Sequence, residues 1–364
     1  MGADTGSASN PSDSPTCPVE PRQPPTPVSA AMKRHLNTLF VTTDDSYLSR
    51  EGESIVVKRQ GKKVLQVPAL TLDGLVCIGR SYVSTPLLRF CGKKGLTVSL
   101  LSPTGQIVGR FEGPATGNVL LRRDQHRLSL DPPARLAIAA RFVVGKVANS
   151  RTVIRRGARD HGDPQGRLGE AADALGRVLR KVAHASDLDQ LRGMEGEAGR
   201  VYFRAFNSLI TRSDREFKFR GRSRRPPQDR TNALLSFTYG MLRHDLRSAC
   251  EGVGLDPQIG FLHADRPGRA SLALDLMEEF RAPLADRAVL TVVNRKQVSS
   301  VDFQARPGGA VHMKEAARKA LIVTYQKKKQ ETLIHPGSSP VVVGGERGKL
   351  NHRAGWEAFT SEAG

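Results

Sequence analysis

The chain has 364 residues, with 56 Lys and Arg against 36 Asp and Glu, a formal net charge of +20 and a pI near 10.3. This length allows one large domain or two ordinary ones, and the basic excess points to a polyanionic partner, nucleic acid before membrane, because no amphipathic anchor accompanies the charge. No apolar run approaches the ~18 residues of a membrane span, no apolar h-region opens the chain, and Cys17, Cys77, Cys91 and Cys250 form neither a CxxC pair nor a disulfide framework, which excludes a transmembrane protein, a cleaved secretory signal and a zinc ribbon and makes a reducing cytoplasm the expected setting.

Residues 1–31 are rich in Pro, Ser and Thr, with seven prolines from Pro11 to Pro27. Such a segment cannot bury enough apolar surface to offset its ordering entropy, so a disordered leader or an early start is expected. From 32 to 117 the short β-branched runs LNTLFVTT, ESIVVKR, KVLQVPA, LVCIG, LTVSLL and IVGRFEG, bounded by Gly, Asp, Ser and Pro, predict a β-rich domain. One helix is expected within SYVSTPLLRFCGKKG, with Ser84 or Thr85 as N-cap, Pro86 at its first position and Gly92 or Gly95 at its end.

After Asn118 the apolar period lengthens from about 2 to about 3.6, the signature of helices. Residues 134–160, 174–185, 187–210, 230–254, 269–296 and 313–331 each read as helical, and Asp187 with Gln190 has capping-box spacing. The expected fold class is therefore α+β: a β-sheet domain followed by a larger, mainly α-helical domain over 118–335. The stretch 336–364 is Gly-rich, lacks apolar periodicity and carries Trp356, the only tryptophan; it is expected to be a flexible tail.

Within 187–210, Glu195 borders the apolar stripe of Leu191, Met194, Ala198, Val201 and Tyr202, whereas Glu197, about 200° away, faces outward. A carboxylate at the core edge needs a partner, either Arg192 or Arg269 in an ion pair or a metal. In GFLHADRPGRASLALDLMEEFR, His263 falls in a loop, and Asp275 and Glu278 share a helix face at i, i+3. One imidazole and two same-face carboxylates, with an inward Glu elsewhere, suit Mn²⁺, or Mg²⁺ when water and phosphate complete the octahedron. A hydrolase elbow and a P-loop are absent.

The stretch 215–230, REFKFRGRSRRPPQDR, holds Arg215, Lys218, Arg220, Arg222, Arg224, Arg225 and Arg230, interleaved with Phe217 and Phe219 and stiffened by Pro226-Pro227. Contacts from such a loop to phosphates position DNA or RNA without reading its sequence. Arg266, Arg269, Arg295 and Lys296 extend the surface.

The segments LNTLFVTTDDSYLSREGESIVV, GNVLLRRDQHRL, LRGMEGEAGRVYF, FRGRSRRPPQDRTNALLSFTYGML, GLDPQIGFLHADRPGRASLALDLMEEFR and LTVVNRKQV occur in family order between Met32 and about Pro336. On these motifs the chain resembles the CRISPR-associated endonuclease of the spacer-acquisition module, the first of the numbered Cas proteins, and most closely its subtype I-C branch. The resemblance implies a homodimer that joins a small partner, the second of the numbered Cas proteins, in an integrase that inserts short foreign DNA as spacers next to the leader of a CRISPR array. It places Mg²⁺ or Mn²⁺ on Glu195, His263 and Glu278, with Asp275 a further catalytic acid beside the ion. It also implies double-stranded DNA, both spacer precursor and leader-repeat, as substrate; the basic surface read above from charge, Lys218, Arg220, Arg222, Arg224, Arg225, Arg230, Arg266 and Arg269, is expected to hold it. An imidazole ligates only when neutral, so activity is expected to fall in acid. Departures from the family are the segment after His335-Pro336, which motivates a second reading as a catalytically impaired DNA-binding scaffold, residues 1–31, which lie outside the family pattern, and Gly199, where the family tends to have Ala.

Overall fold

The structure is a computed structural model that describes residues 1–2, 38–114, 118–334 and 340–342. The expected leader with Cys17, and the expected tail with Trp356 apart from 340–342, lie outside the described residues. A mixed β-sheet domain comes first. One sheet has the order β1 (Thr38–Val41), β5 (Gly74–Ile78), β7 (Thr97–Leu101), β8 (Ile107–Phe111), parallel except for β8. The other has the order β4 (Lys62–Pro68), β3 (Ser54–Arg59), β2 (Ser46–Glu51), β6 (Ser81–Val83), with β6 parallel to β2 and the remaining pairs antiparallel.

The apolar run of β5 shows how this domain is bound to the rest. Leu75 and Cys77 enter a core with Leu48, Ile55, Leu87, Phe90 and Val98, while Val76 and Ile78 enter a second core shared with the helices. A strand buried on both faces is apolar throughout and does not alternate. β2 escaped the sequence reading because only Leu48 of its large side chains is buried, and Tyr47 is exposed. The first helix, α1 (Thr85–Lys94), is capped by Ser84, whose hydroxyl accepts from the Leu87 amide, and ends at Gly95 with φ 68°. Pro86 takes its second position. Cys77, Cys91 and Cys250 are buried free thiols, pushed up to about 12, 11 and 12 by that burial.

The helical domain contains α2 (Val119–Leu130), α3 (Pro132–His161), α4 (Arg167–Val182), α5 (Leu188–Ala205), α6 (Arg230–Val253), α7 (Ser271–Phe280), α8 (Arg287–Asn294) and α9 (Glu315–Lys329). Asn118 caps α2 by accepting from the Leu120 and Leu121 amides. Asp187 caps α5, but Gln190 reaches back to the Ser186 amide rather than to that of Asp187. The continuous helix expected over 269–296 is broken: a π-helical turn, Arg281–Asp286, separates α7 from α8. Pro283 lies inside it, and a proline has no amide hydrogen for a regular α-turn. Short antiparallel pairs join β9 (Phe303–Ala305) to β10 (Val311–Met313) and β11 (Thr332–Ile334) to β12 (Pro340–Val342). Among the described residues no helix is long and apolar enough to cross a membrane.

The β-domain docks on α6. Ser99 on β7 shares a 2.6 Å hydrogen bond with His244 Nε2, and Arg110 on β8 donates to Ser248 and pairs with Glu251 at 2.6 Å. Asp245 lies 3.5 Å from His244 Nδ1 and accepts from Tyr325 and Lys329, at 2.9 Å each. This Ser–His–Asp order has the connectivity of a hydrolase triad, but Ser99 is fully buried, so its role is to join β7, α6 and α9. At the same seam a Cβ on Gly240 would stand 2.3 Å from the Gly105 carbonyl oxygen. Gly240→Ala should therefore lose about 1–3 kcal/mol of stability, the usual cost of overpacking, measured as a lower denaturant midpoint.

Candidate active site

The site is assembled from α3, α5, the loop before α7, α7 itself and the π-turn. On α3, Lys146 is 9% exposed. Its ammonium donates to Glu195 Oε1 of α5 and lies 2.8 Å from Glu278 Oε2 of α7. Glu195 and Glu278, 83 residues apart in the chain, thus face one cation. Neither Arg192 nor Arg269 takes the Glu195 carboxylate: Arg192 donates to the Leu262 carbonyl at 2.9 Å and to Asp189. Glu197 points away, 3.9 Å from Lys181. The helices meet closely because Gly145 gives way to α7, where an added Cβ would lie 3.0 Å from Glu279 Cγ. At Gly199 an added Cβ would lie 4.0 Å from Lys146 Nζ, an ordinary contact, so the departure from Ala leaves the site's packing intact.

Glu278 is 3% exposed and its two oxygens have different surroundings. Oε1 pairs with Arg281 at 3.1 Å, and Oε2 faces Lys146 at 2.8 Å. Burial would raise this carboxyl, but Arg281 and Lys146 outweigh it and hold Glu278 down at about 2.

His263 is set by Asp275. The fully buried Asp275 carboxylate accepts from the amides of Phe261 (2.6 Å), Leu262 (3.1 Å) and His263 (3.0 Å), and from the His263 ring Nδ1 (2.6 Å). From the other side Arg135 holds the Phe261 carbonyl at 2.9 Å, as Arg192 holds that of Leu262. A carboxylate can only accept, so Nδ1 carries the proton and Nε2 keeps its lone pair for a ligand. Both Asp275 oxygens are committed to this turn and to the His263 ring. Gly260 permits the turn, since a Cβ there would stand 2.6 Å from Ser271 Cβ.

The donor set fits a hard divalent ion: two carboxylates that already share one cation, one of them buried, and an imidazole with its other nitrogen fixed. As the side chains stand, the donors are not gathered around one point; among the described residues no three His, Cys, Asp or Glu groups are close enough to hold an ion.

In the basic loop the phenylalanines point inward. Phe217 packs edge-on against Phe303, and Phe219 lies 5.0 Å from Phe206. Arg215, Lys218, Arg220, Arg224 and Arg225 are exposed, as are Arg266, Arg295 and Lys296, while Arg269 is half-buried. Arg222 and Arg230 turn into the protein. Arg222 donates to Asn232 and Ser236 and sits over the Tyr239 ring, and Arg230 donates to the Glu216 carbonyl. Tyr239 also faces Arg281, and its hydroxyl donates to the buried Asp286 at 2.6 Å, as does that of Tyr202 at 3.0 Å. Burial raises Asp286 to about 6 against the pull of the two hydroxyls, Arg281 and Arg222.

The sequence pattern of the family described as CRISPR associated protein Cas1 spans residues 39–327. The chain belongs to the Cas1 family. The CRISPR-associated endonuclease Cas1 1 of Chlorobaculum tepidum is 46% identical over 307 residues, 84% of this chain and 90% of the relative. The fold is similar to that of a casposase bound to integration product, with TM-score 0.72 and 22% identity over 83% of this chain and 85% of that one. It is also similar to a chain of a Cas6-RT-Cas1–Cas2 complex, with TM-score 0.70 and 22% identity over 85% of this chain and 34% of that one.

Sequence reading of this Cas1 chain missed Lys146, Arg281, Tyr239 and Asp286. A signal for Lys146 was present: it stands at inward helical spacing in FVVGKVANS, between buried Val143 and Val147. Asp286 likewise falls inside an apolar stretch, before buried Ala288 and Val289.

Two measurements follow. Asp275→Ala leaves three amides without an acceptor and should cost at least about 2 kcal/mol in chemical denaturation. A carboxyl held below its ordinary value contributes stability that is full above the unfolded pKa of 4.5 and is lost as pH falls toward 2. Glu278→Gln should therefore be less stable than wild type at pH 7, with the gap closing as pH is lowered to 3, read from denaturant midpoints across that range.

Proposed function

We propose that this chain is a divalent-metal-dependent DNA endonuclease and integrase that inserts short foreign DNA into a CRISPR array as new spacers. The observation that carries the reading is the meeting of Glu195 and Glu278 on one cation. Glu195, Glu278 and Nε2 of His263 would hold Mg²⁺ or Mn²⁺, which when bound polarises a phosphoryl oxygen and stabilises charge on the attacking and leaving oxygens.

The chain's own residues account for the remainder. Asp275 fixes the tautomer and direction of His263. Lys218, Arg220, Arg224 and Arg225, with Arg266 and Arg269, take the phosphates and align the duplex, which supplies the entropic part of the rate. Arg222 and Arg230 brace that loop from within. Water in place of a DNA 3′-hydroxyl turns the same site from strand transfer to cleavage. The proposal includes a homodimer, assembly with the second numbered Cas protein, the subtype I-C branch carried by the motifs quoted above, and a domain boundary at 117/118, where Asn118 caps α2. The Cas1–Cas2 assembly named for one structural neighbour supports the partner.

An integration assay with the purified chain, with and without the small partner, tests this. Mn²⁺-dependent nicking and strand transfer should vanish with EDTA and in Glu195→Ala, while DNA binding persists; salt-sensitive binding without any metal-dependent cleavage would instead identify a binding scaffold. Replacing Arg224 and Arg225 with Gln should weaken binding across all sequences and reduce the slope of log K against log salt by roughly 2, about 0.9 for each phosphate that is no longer neutralised.

A further inference from the structure

Lys146 belongs to no metal-ligand set, yet it stands at the centre of the carboxylate cluster. Glu278 is buried and Glu195 half-buried, and two carboxylates so close repel one another unless counter-charges stand between them. The cluster avoids this without any bound ion. Glu195 and Glu278 bring two negative charges; Lys146 and Arg281 bring two positive ones.

The two cations are not equivalent. Arg281 pairs with Glu278 Oε1 and lies over the ring of Tyr239, which is itself anchored on Asp286, so it is fixed. Lys146 is a point charge on a flexible four-carbon stem. Its ammonium lies 2.8 Å from Oε2 of Glu278 and donates to Glu195, and on α5 it meets no side chain at Gly199, where an added Cβ would lie 4.0 Å from Nζ.

We propose, resting on the metal reading above, that Lys146 is a resident counter-cation: it holds Glu195 and Glu278 in place in the metal-free protein and is displaced when a divalent ion takes the carboxylates. A hard divalent cation outcompetes an ammonium for carboxylate oxygens because it carries twice the charge and binds oxygen directly. Arg281 stays on Oε1, and Oε2 is released to the incoming ion. The metal-free site is then preorganised at the expense of affinity, because every binding event must break the Lys146 contacts.

The test measures Mn²⁺ binding from the free-ion paramagnetic resonance signal, with no DNA present. Lys146→Met should bind Mn²⁺ tighter than wild type by about tenfold, the equivalent of one ion pair no longer broken. Lys146→Arg, which keeps the charge, should not. In the wild-type protein, amine-directed labelling of Lys146 followed by mass spectrometry should be slow without metal and faster at saturating Mn²⁺; this arm stands even where the methionine variant does not fold. Lys146→Met binding no tighter than wild type, or labelling that Mn²⁺ leaves unchanged, overturns the counter-cation role. If Glu195→Gln and Glu278→Gln still lose Mn²⁺ in that case, the metal site itself stands. Undiminished Mn²⁺ binding in both glutamine variants removes the metal site and the role of Lys146 with it.

Discussion

The constraint on which the rest of the site depends is that Glu278 is buried and charged. A carboxylate in that position must be met by cations at short range, and Lys146 and Arg281 meet it from two different elements. To do so, α3, α5 and α7 must approach until side chains from all three share a few ångströms. Gly145 permits the α3–α7 approach, and Gly199 leaves Nζ of Lys146 room on α5. The loop carrying His263 is built to the same tolerance: Asp275 holds three of its amides, and Arg135 and Arg192 hold two of its carbonyls. Charge satisfaction and backbone satisfaction together produce a rigid frame around one small region.

That frame is continuous with the basic loop. Tyr239 carries Arg222 near one part of its ring and Arg281 near another, and its hydroxyl is bound by Asp286. Arg222 also donates to Asn232, which accepts from the Ser223 amide and donates to the Gly221 carbonyl. The loop that presents Lys218, Arg220, Arg224 and Arg225 is therefore tied through α6 to the residue that pairs with Glu278. Phe217 and Phe219 add the apolar anchors, and the alternation of an extended chain turns Lys218 and Arg220 outward between and after them.

Several of these features were legible in the residues. The inward Glu195 and outward Glu197 followed from helical angles, Ser84 and Gly95 bounded α1 as capping chemistry requires, and the shift from period 2 to period 3.6 after Asn118 marked the passage from sheet to helix. The π-turn was not read, although Pro283 marked it, because the apolar stripe continues on both sides of the interruption. β2 was missed because, although it lies between β3 and β6, a strand with a single large buried residue leaves almost no pattern. Neither arginine weighed as an ion-pair partner for Glu195 takes it; Lys146 does, from a helix 49 residues earlier whose crossing with α5 no local pattern encodes.

Local patterns depend on backbone geometry, which repeats every few residues, and so the sequence by itself determined the element types, the caps, the two-part α+β organisation, the basic loop and the inward face of Glu195. Which cation meets which carboxylate depends on how distant helices cross, and no local period encodes that. Only the tertiary structure decided that Lys146 stands between Glu195 and Glu278, that Asp275 serves His263, and that Arg222 faces inward, because each of these is a long-range solution to burying charge.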